Sequence, residues 1–189
     1  MAKIVQEAYF DGSKQKIDRL GLWPLINEIK TAITSFPVEI KQGRFANSSA
    51  VFREMIDAAL RDVGDWTNIT SGDVDWIKCR VIEGARVCLG VEIQVSARSD
   101  LIFRDVVHFQ RQLRQGHIDV CVEIVPSDEM APYMTDRTPR FSDAIRIIKT
   151  EMRMQDDLPI VIMAIEHDGF GDVPLKKKIT NRGKNRLKG

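Results

Sequence analysis

At 189 residues, with 43% apolar and 29% charged side chains and a formal net charge of +1, the chain has the composition of one ordinary globular domain. That excludes a disordered or fibrous polypeptide, and no apolar run approaches the roughly 18 residues that span a bilayer. The small net charge hides an asymmetry: residues 176–189 (KKKITNRGKNRLKG) hold seven Lys/Arg and no acid, which leaves 21 Lys/Arg against 27 Asp/Glu in the rest. A basic arm on an acidic body suits docking on phosphates, although a solvated tail has the same composition. The opening Met-Ala-Lys-Ile carries no signal-peptide pattern. Cys79, Cys88 and Cys121 lie in apolar β-like runs without metal-ligand spacing. They are expected to be reduced, buried thiols of a cytoplasmic protein.

In chain order, Leu20–Ser35 has helical apolar spacing at Leu25, Ile26, Ile29 and Ile33, with Pro24 tolerated in the first turn. Lys41–Ser49 is polar and loop-like. Ser49–Val63 is a second amphipathic helix. Val74–Ile82 and Arg86–Val95 are β runs joined at Glu83-Gly84, a predicted hairpin. Asp100 can N-cap a helix over Leu101–Gln115 that Gly116 stops. His117–Val125 predicts a buried strand, Ser142–Met154 a helix and Pro159–Glu166 a final strand. Strand, helix and strand over residues 86–125 make a crossover unit with parallel outer strands. The expectation is one α/β domain over residues 1–175, a mixed central sheet flanked by helices, with a basic arm at 176–189.

Chemistry concentrates in residues 90–96, GVEIQVS. Side chains alternate along a strand, so Glu92 and Gln94 share a face. A carboxylate inside an apolar strand is costly unless a cation meets it. Asp75, on the partner strand of the hairpin, can bring a second carboxylate. Two carboxylates and the Ile93 carbonyl would make an oxygen-rich site for a hard cation such as Mg2+, although strand acids also simply line half-exposed sheets. Asp136-Arg137 can accept from cytosine and donate twice to guanine, or serve as a helix cap with an incidental arginine. His108, His117 and His167 fall at no metal-ligand spacing, and His108 with Phe109 reads as part of a packed helix. Trp23, Trp66 and Trp76 read as core residues.

Asp75 followed by Glu92-Ile93-Gln94 resembles the PD-(D/E)xK nuclease site in the form where glutamine replaces lysine. GLWPLINEIKTAI, HIDVCVEIVPSDEM, YMTDRTPRF and LPIVIMAIEHD followed by DVPLKK are similar, in order, to segments of the type II restriction endonucleases of the BamHI/BglII/BstYI group. That resemblance implies a restriction-endonuclease fold and a homodimer cutting both strands of a palindromic, GATC-centred duplex with Mg2+. It implies Asp75, Glu92 and the Ile93 carbonyl as metal ligands and Gln94 beside the attacking water. Ser96, Ala97, Arg98 and Ser99 would face the major groove, as would Asp136, Arg137, Thr138 and Arg140. Lys176, Lys177, Lys178 and Arg182 would meet phosphates. The helices at 101–115 and 142–154 would meet their symmetry mates at the dimer interface, where a charge at Val107 or Ile148 would break the dimer.

Two departures bear on the site. Glutamine cannot accept a proton at neutral pH, so Gln94 can position water but not deprotonate it. The interval from Asp75 to Glu92 is BamHI-like rather than BglII-like, which makes Glu83 a rival, disfavoured by its place at the hairpin turn. Glu54 on the second helix is either a further carboxylate or a solvent-facing one. A structure-specific nuclease and a DNA-binding module without activity are the alternatives.

Overall fold

A computed structural model describes residues 1–69, 74–95, 101–151 and 158–171. Its elements run β1 (Lys3–Tyr9), α1 (Ser13–Arg19), α2 (Trp23–Ile33), β2 (Glu39–Ile40), α3 (Ser49–Val63), β3 (Thr67–Asn68), β4 (Trp76–Ile82), β5 (Ala85–Ile93), α4 (Leu101–Arg114), β6 (Val120–Pro126), α5 (Phe141–Arg146), β7 (Ile160–Glu166) and β8 (Gly169–Phe170). Six strands form one sheet in the order β1-β7-β6-β5-β4-β3, and β2 pairs with β8 in a small second sheet. The central strands β5, β6 and β7 are parallel, while β1, β4 and β3 are antiparallel to their neighbours. The mixed α/β architecture and the crossover from β5 to β6 are as predicted. Among the described residues no helix is long and apolar enough to cross a membrane.

Period-two alternation divides the core. Val87, Leu89, Val91 and Ile93 of β5 face α2 and α3, packing with Ile26, Ile29, Phe52, Ile56 and Leu60. Cys88 of β5 and Cys121 and Val125 of β6 face the other way, toward Ile102, Val106 and Phe109 of α4 and toward α5. Gly90, also on that second face, sits so close to Ile118 that an added Cβ would lie 3.0 Å from its Cδ1. The predicted hairpin closes through Glu83 (φ 51°) and Gly84 (φ 82°), both left-handed, as the twist of a two-residue turn requires. Glu83 is exposed there, away from the sheet.

Four expectations need correction. Cys79 and Cys88 are cross-strand partners in β4 and β5, 4.0 Å apart at Cα, and form a disulfide; Cys121 alone is a free, buried thiol. The spacing of nine residues around a two-residue turn puts them face to face, a consequence of register that counting cysteines does not reveal. The strand expected from His117 begins only at Val120. Gly116 is left-handed (φ 68°) and the His117 N–H reaches back to the Gln112 carbonyl, so these residues close α4 instead. The helix expected over 142–154 is α5 followed by a π turn at Ile147–Glu151, where the Thr150 hydroxyl donates to the Arg146 carbonyl; residues 152–157 lie outside the described part. Ile148 is buried in the protomer's own core, so it cannot face a partner, whereas Val107 on α4 is 53% exposed.

A candidate active site

The carboxyl ends of β5 and β6 carry the acidic groups. Glu92 and Glu123 are register partners on these parallel strands, which puts both side chains on the α4 side of the sheet. Both are buried, as is Asp105, which α4 contributes from the stripe Ile102, Asp105, Val106, Phe109. Asp75 comes from the segment entering β4. One of its oxygens accepts the Ile93 N–H at 2.8 Å, while its own N–H donates to the Val91 carbonyl, so the residue is pinned to the end of β5. Asp75 and Glu92, placed together as the sequence suggested, are directly hydrogen-bonded through their side chains. Glu54 is exposed.

Arg53 of α3, which the sequence reading passed over, is the principal cation at Asp75. Its guanidinium donates to the Ile93 carbonyl at 2.9 Å, pairs with Asp75 at 2.8 Å and with Asp57 one helical turn on at 3.0 Å. Asp57 in turn accepts the Trp76 indole N–H at 2.8 Å, so the arginine is braced on both sides. Arg53 thus binds two of the three oxygen groups expected to hold a metal. Arg53 follows the buried Phe52 by a single position at the border of the Phe52–Ile56 face, and an amphipathic pattern cannot distinguish such a boundary arginine from a solvent-facing one.

The electrostatics follow from crowding. Burial raises the Asp75 carboxyl, but hydrogen bonds from Glu92 and Arg53 outweigh it and hold the group below its ordinary value. Burial, then the neighbouring Asp75 carboxylate, pushes Glu92 up to about 12, so it keeps its proton and donates to Asp75. Burial raises Asp105 to about 6, against the opposing pull of Arg104. Glu123 is raised well above its usual value by complete burial and by Asp105 and Asp75. Both Glu123 carboxyl oxygens and Oδ2 of Asp105 lack a protein partner. Four carboxyl groups crowd here, two of them with unpartnered buried oxygens, and the guanidinium groups of Arg53 and Arg104 leave those oxygens unmet; such a cluster suits a divalent cation.

One histidine belongs here, contrary to the sequence expectation. A ring nitrogen of His108 and carboxyl oxygens of Glu92 and Asp105 all lie within 4.8 Å of one another. Asp105-x-x-His108 puts the two on one helix face, and this i, i+3 spacing was the available signal. Burial, then Arg104, lowers the His108 pKa, which favours the neutral ring.

A model of the restriction endonuclease BglII/BglIII family matches residues 24–165. The chain belongs to this restriction endonuclease family. It is therefore a type II site-specific deoxyribonuclease, a hydrolase whose substrate is DNA. No curated protein matches the chain. The match spans both faces of the sheet, from α2 to the end of β7, and so includes Asp75, Glu92, Ile93 and Gln94.

The endonuclease positions its other expected contacts unevenly. Gln94 is buried just past β5, its N–H donating to the Ile124 carbonyl at 2.8 Å. Asp136, Arg137, Thr138 and Arg140 line a depression of about 320 Å³ together with Arg44 and Phe45. Arg137 and Arg140 are exposed, and Arg137 is left-handed at φ 65°. Thr138 is turned inward: its hydroxyl donates to the Thr135 carbonyl at 2.6 Å and meets the Ser49 hydroxyl at 3.0 Å. The 41–49 loop is tied to this segment through Phe45 N–H to the Pro132 carbonyl and Asn47 N–H to the Tyr133 carbonyl. Arg44, stacked on Phe45 with 4.8 Å to the ring centroid, is a cation at this surface that the sequence reading left within a polar loop. Ser96, Ala97, Arg98, Ser99, Asp100 and the whole arm with Lys176, Lys177, Lys178 and Arg182 lie outside the described residues.

Proposed function

We propose that this endonuclease uses Mg2+ to hydrolyse both strands of a palindromic, GATC-centred DNA duplex as a cytoplasmic homodimer, with residues 1–175 as the catalytic domain and 176–189 as a phosphate-binding arm. The observation that carries the reading is the convergence of the Asp75 and Glu92 carboxyls and the Ile93 carbonyl at the end of β5, in a chain of this family. Mg2+ held there would polarise the scissile phosphate and acidify a coordinated water. Asp75, pinned through the Ile93 N–H, fixes the geometry of that oxygen set. Glu92 would hold the ion as a carboxylate, without the proton that here bonds it to Asp75. Arg53 must yield the Ile93 carbonyl and Asp75, and its guanidinium is then free to meet a phosphate. Gln94 supplies an amide to orient the attacking water but no base, so proton removal falls to metal-bound hydroxide or to a substrate phosphate oxygen. A 5′-phosphate product follows from in-line attack.

Asp136, Arg137 and Arg140 are the direct readers of the site, with Ser96, Ala97, Arg98 and Ser99; Thr138 braces the segment. The arm, through Lys176, Lys177, Lys178 and Arg182, adds affinity without sequence preference. The decisive experiment replaces Asp75→Asn and Glu92→Gln separately. Each variant should lose Mg2+-dependent cleavage of phage DNA and retain cognate binding in Ca2+. Near wild-type cutting by either rejects the site.

A further inference from the structure

We propose that Glu92, Asp105 and His108 form a second cation site, for a first-row transition-metal dication, which shares Glu92 with the Asp75–Ile93 site. The proposal rests on the reading of Glu92 as a metal ligand. Its ligands come from two rigid elements, β5 and α4, and their candidate atoms lie within 4.8 Å of one another. An ion about 2.0–2.2 Å from each would draw them to mutual separations of roughly 3–4 Å, a change within the reach of side-chain rotation. Asp105 is fully buried. Arg104 takes its Oδ1 at 3.2 Å from the exposed side of the helix, while Oδ2 has no partner.

Glu123 gives an independent reason to expect an ion. It is 1% exposed, both its oxygens are unpartnered, and it lies on the same sheet face as Glu92, acting electrostatically on Glu92 and Asp105. A carboxyl group buried without any donor signals a missing positive partner at this spot. Ligand chemistry selects the metal. Mg2+ favours oxygen and retains its waters, whereas an imidazole nitrogen with two carboxylates suits Mn2+, Co2+ or Zn2+.

The test uses Co2+ alone, titrated into the full chain freed of metal with EDTA and without DNA, followed by visible absorption and calorimetry. Two Co2+ per chain are expected. His108→Ala should weaken one of them by about 10–100-fold, the scale on which a lost support costs metal affinity, and change the d–d spectrum. Asp105→Asn should do the same, and Asp75→Asn should weaken only the other ion. Should Asp105→Asn fail to fold by circular dichroism, His108→Ala and His108→Gln, at a half-buried position, decide alone. Wild-type Co2+ stoichiometry and spectrum in the folded His108 variants overturn the proposal. That failure is distinct from failure of the functional reading, which turns on Mg2+-supported cleavage by Asp75→Asn. A variant that cuts while His108→Ala loses an ion would sink the Mg2+ site and leave this one standing.

Discussion

Arg53→Met removes the guanidinium that bridges Asp57, Asp75 and the Ile93 carbonyl while keeping most of the side-chain volume. Breaking a buried pair by deleting one partner costs about 3–5 kcal/mol, because the remaining charge is left uncompensated. Here the Arg53 and Asp75 side chains are 29% and 24% exposed, so solvent relieves part of the loss. Asp75 can also take up a proton once its arginine has gone, since burial already pushes its carboxyl upward. The expected cost in EDTA is about 2–3 kcal/mol, or a fall in Tm of roughly 4–12 °C for a chain of this size. Mg2+ should narrow the gap, because a dication at Asp75 and Ile93 replaces what the arginine did, and saturation at about 100 Kd adds about 2.7 kcal/mol. Removing a competing cation also favours the ion directly, so the variant should gain more from Mg2+ than the wild type does. Paired urea and thermal unfolding curves in EDTA and in Mg2+ measure both quantities. A variant as stable as wild type in EDTA, or a gap that Mg2+ leaves unchanged, refutes the reasoning.

Arg137→Ala should cost about 1–3 kcal/mol of discrimination at one base pair in fluorescence anisotropy against single-substituted duplexes, while uniform weakening on all duplexes would remove its reading role. Metal-free stability should depend on pH in a definite direction. Asp105 and Glu92 have folded-state pKa values, about 6 and about 12, above their unfolded values, so their contribution is fully present below about pH 4 and is lost as pH rises through 6 and beyond. Urea unfolding in EDTA from pH 4.5 to 8 should show that decline, which Asp105→Asn should flatten near pH 6. Val107→Glu, at an exposed position of α4, should shift sedimentation toward the monomer and suppress double-strand breaks relative to nicks; a wild-type sedimentation profile counts against α4 as the interface.

Much of the fold is written in local pattern. The apolar spacing of Ser49–Val63 and the turn at Glu83-Gly84 each encode their element within a few residues, and α3 and the hairpin form where expected. β1 was invisible for the opposite reason. It is an edge strand with a register shift between Ile4 and Gln6 and with Val5 47% exposed, so its alternation is broken and its partner lies some 160 residues away. The site divides the same way. Asp75 and Glu92 stand out because a carboxylate in an apolar strand is anomalous. Arg53, Asp105, His108 and Glu123 do not, because each sits in an element whose pattern looks ordinary, and only the crossing of α3 and α4 over the sheet brings them together. Glu123 in particular is indistinguishable from a half-exposed strand acid until α4 and α5 cover its face of the sheet.

The pairing of β1 with β7 bears on how such an enzyme is made. During synthesis β1 leaves the ribosome before the other strands described, yet among the described residues its strand partner in the sheet spans residues 161–166, and β6 likewise waits for β7 on one side. Until that last strand emerges, the carboxylate-bearing strands form a sheet with an open edge, and the chain holding them has no closed core on which to fix Asp75 against Glu92. Long-range closure of this kind is slow, because loop entropy is lost before the contacts form. A polypeptide whose product cuts DNA therefore gains its cutting geometry late, and nascent or truncated chains ending before β7 carry the acidic residues without the framework that makes them dangerous.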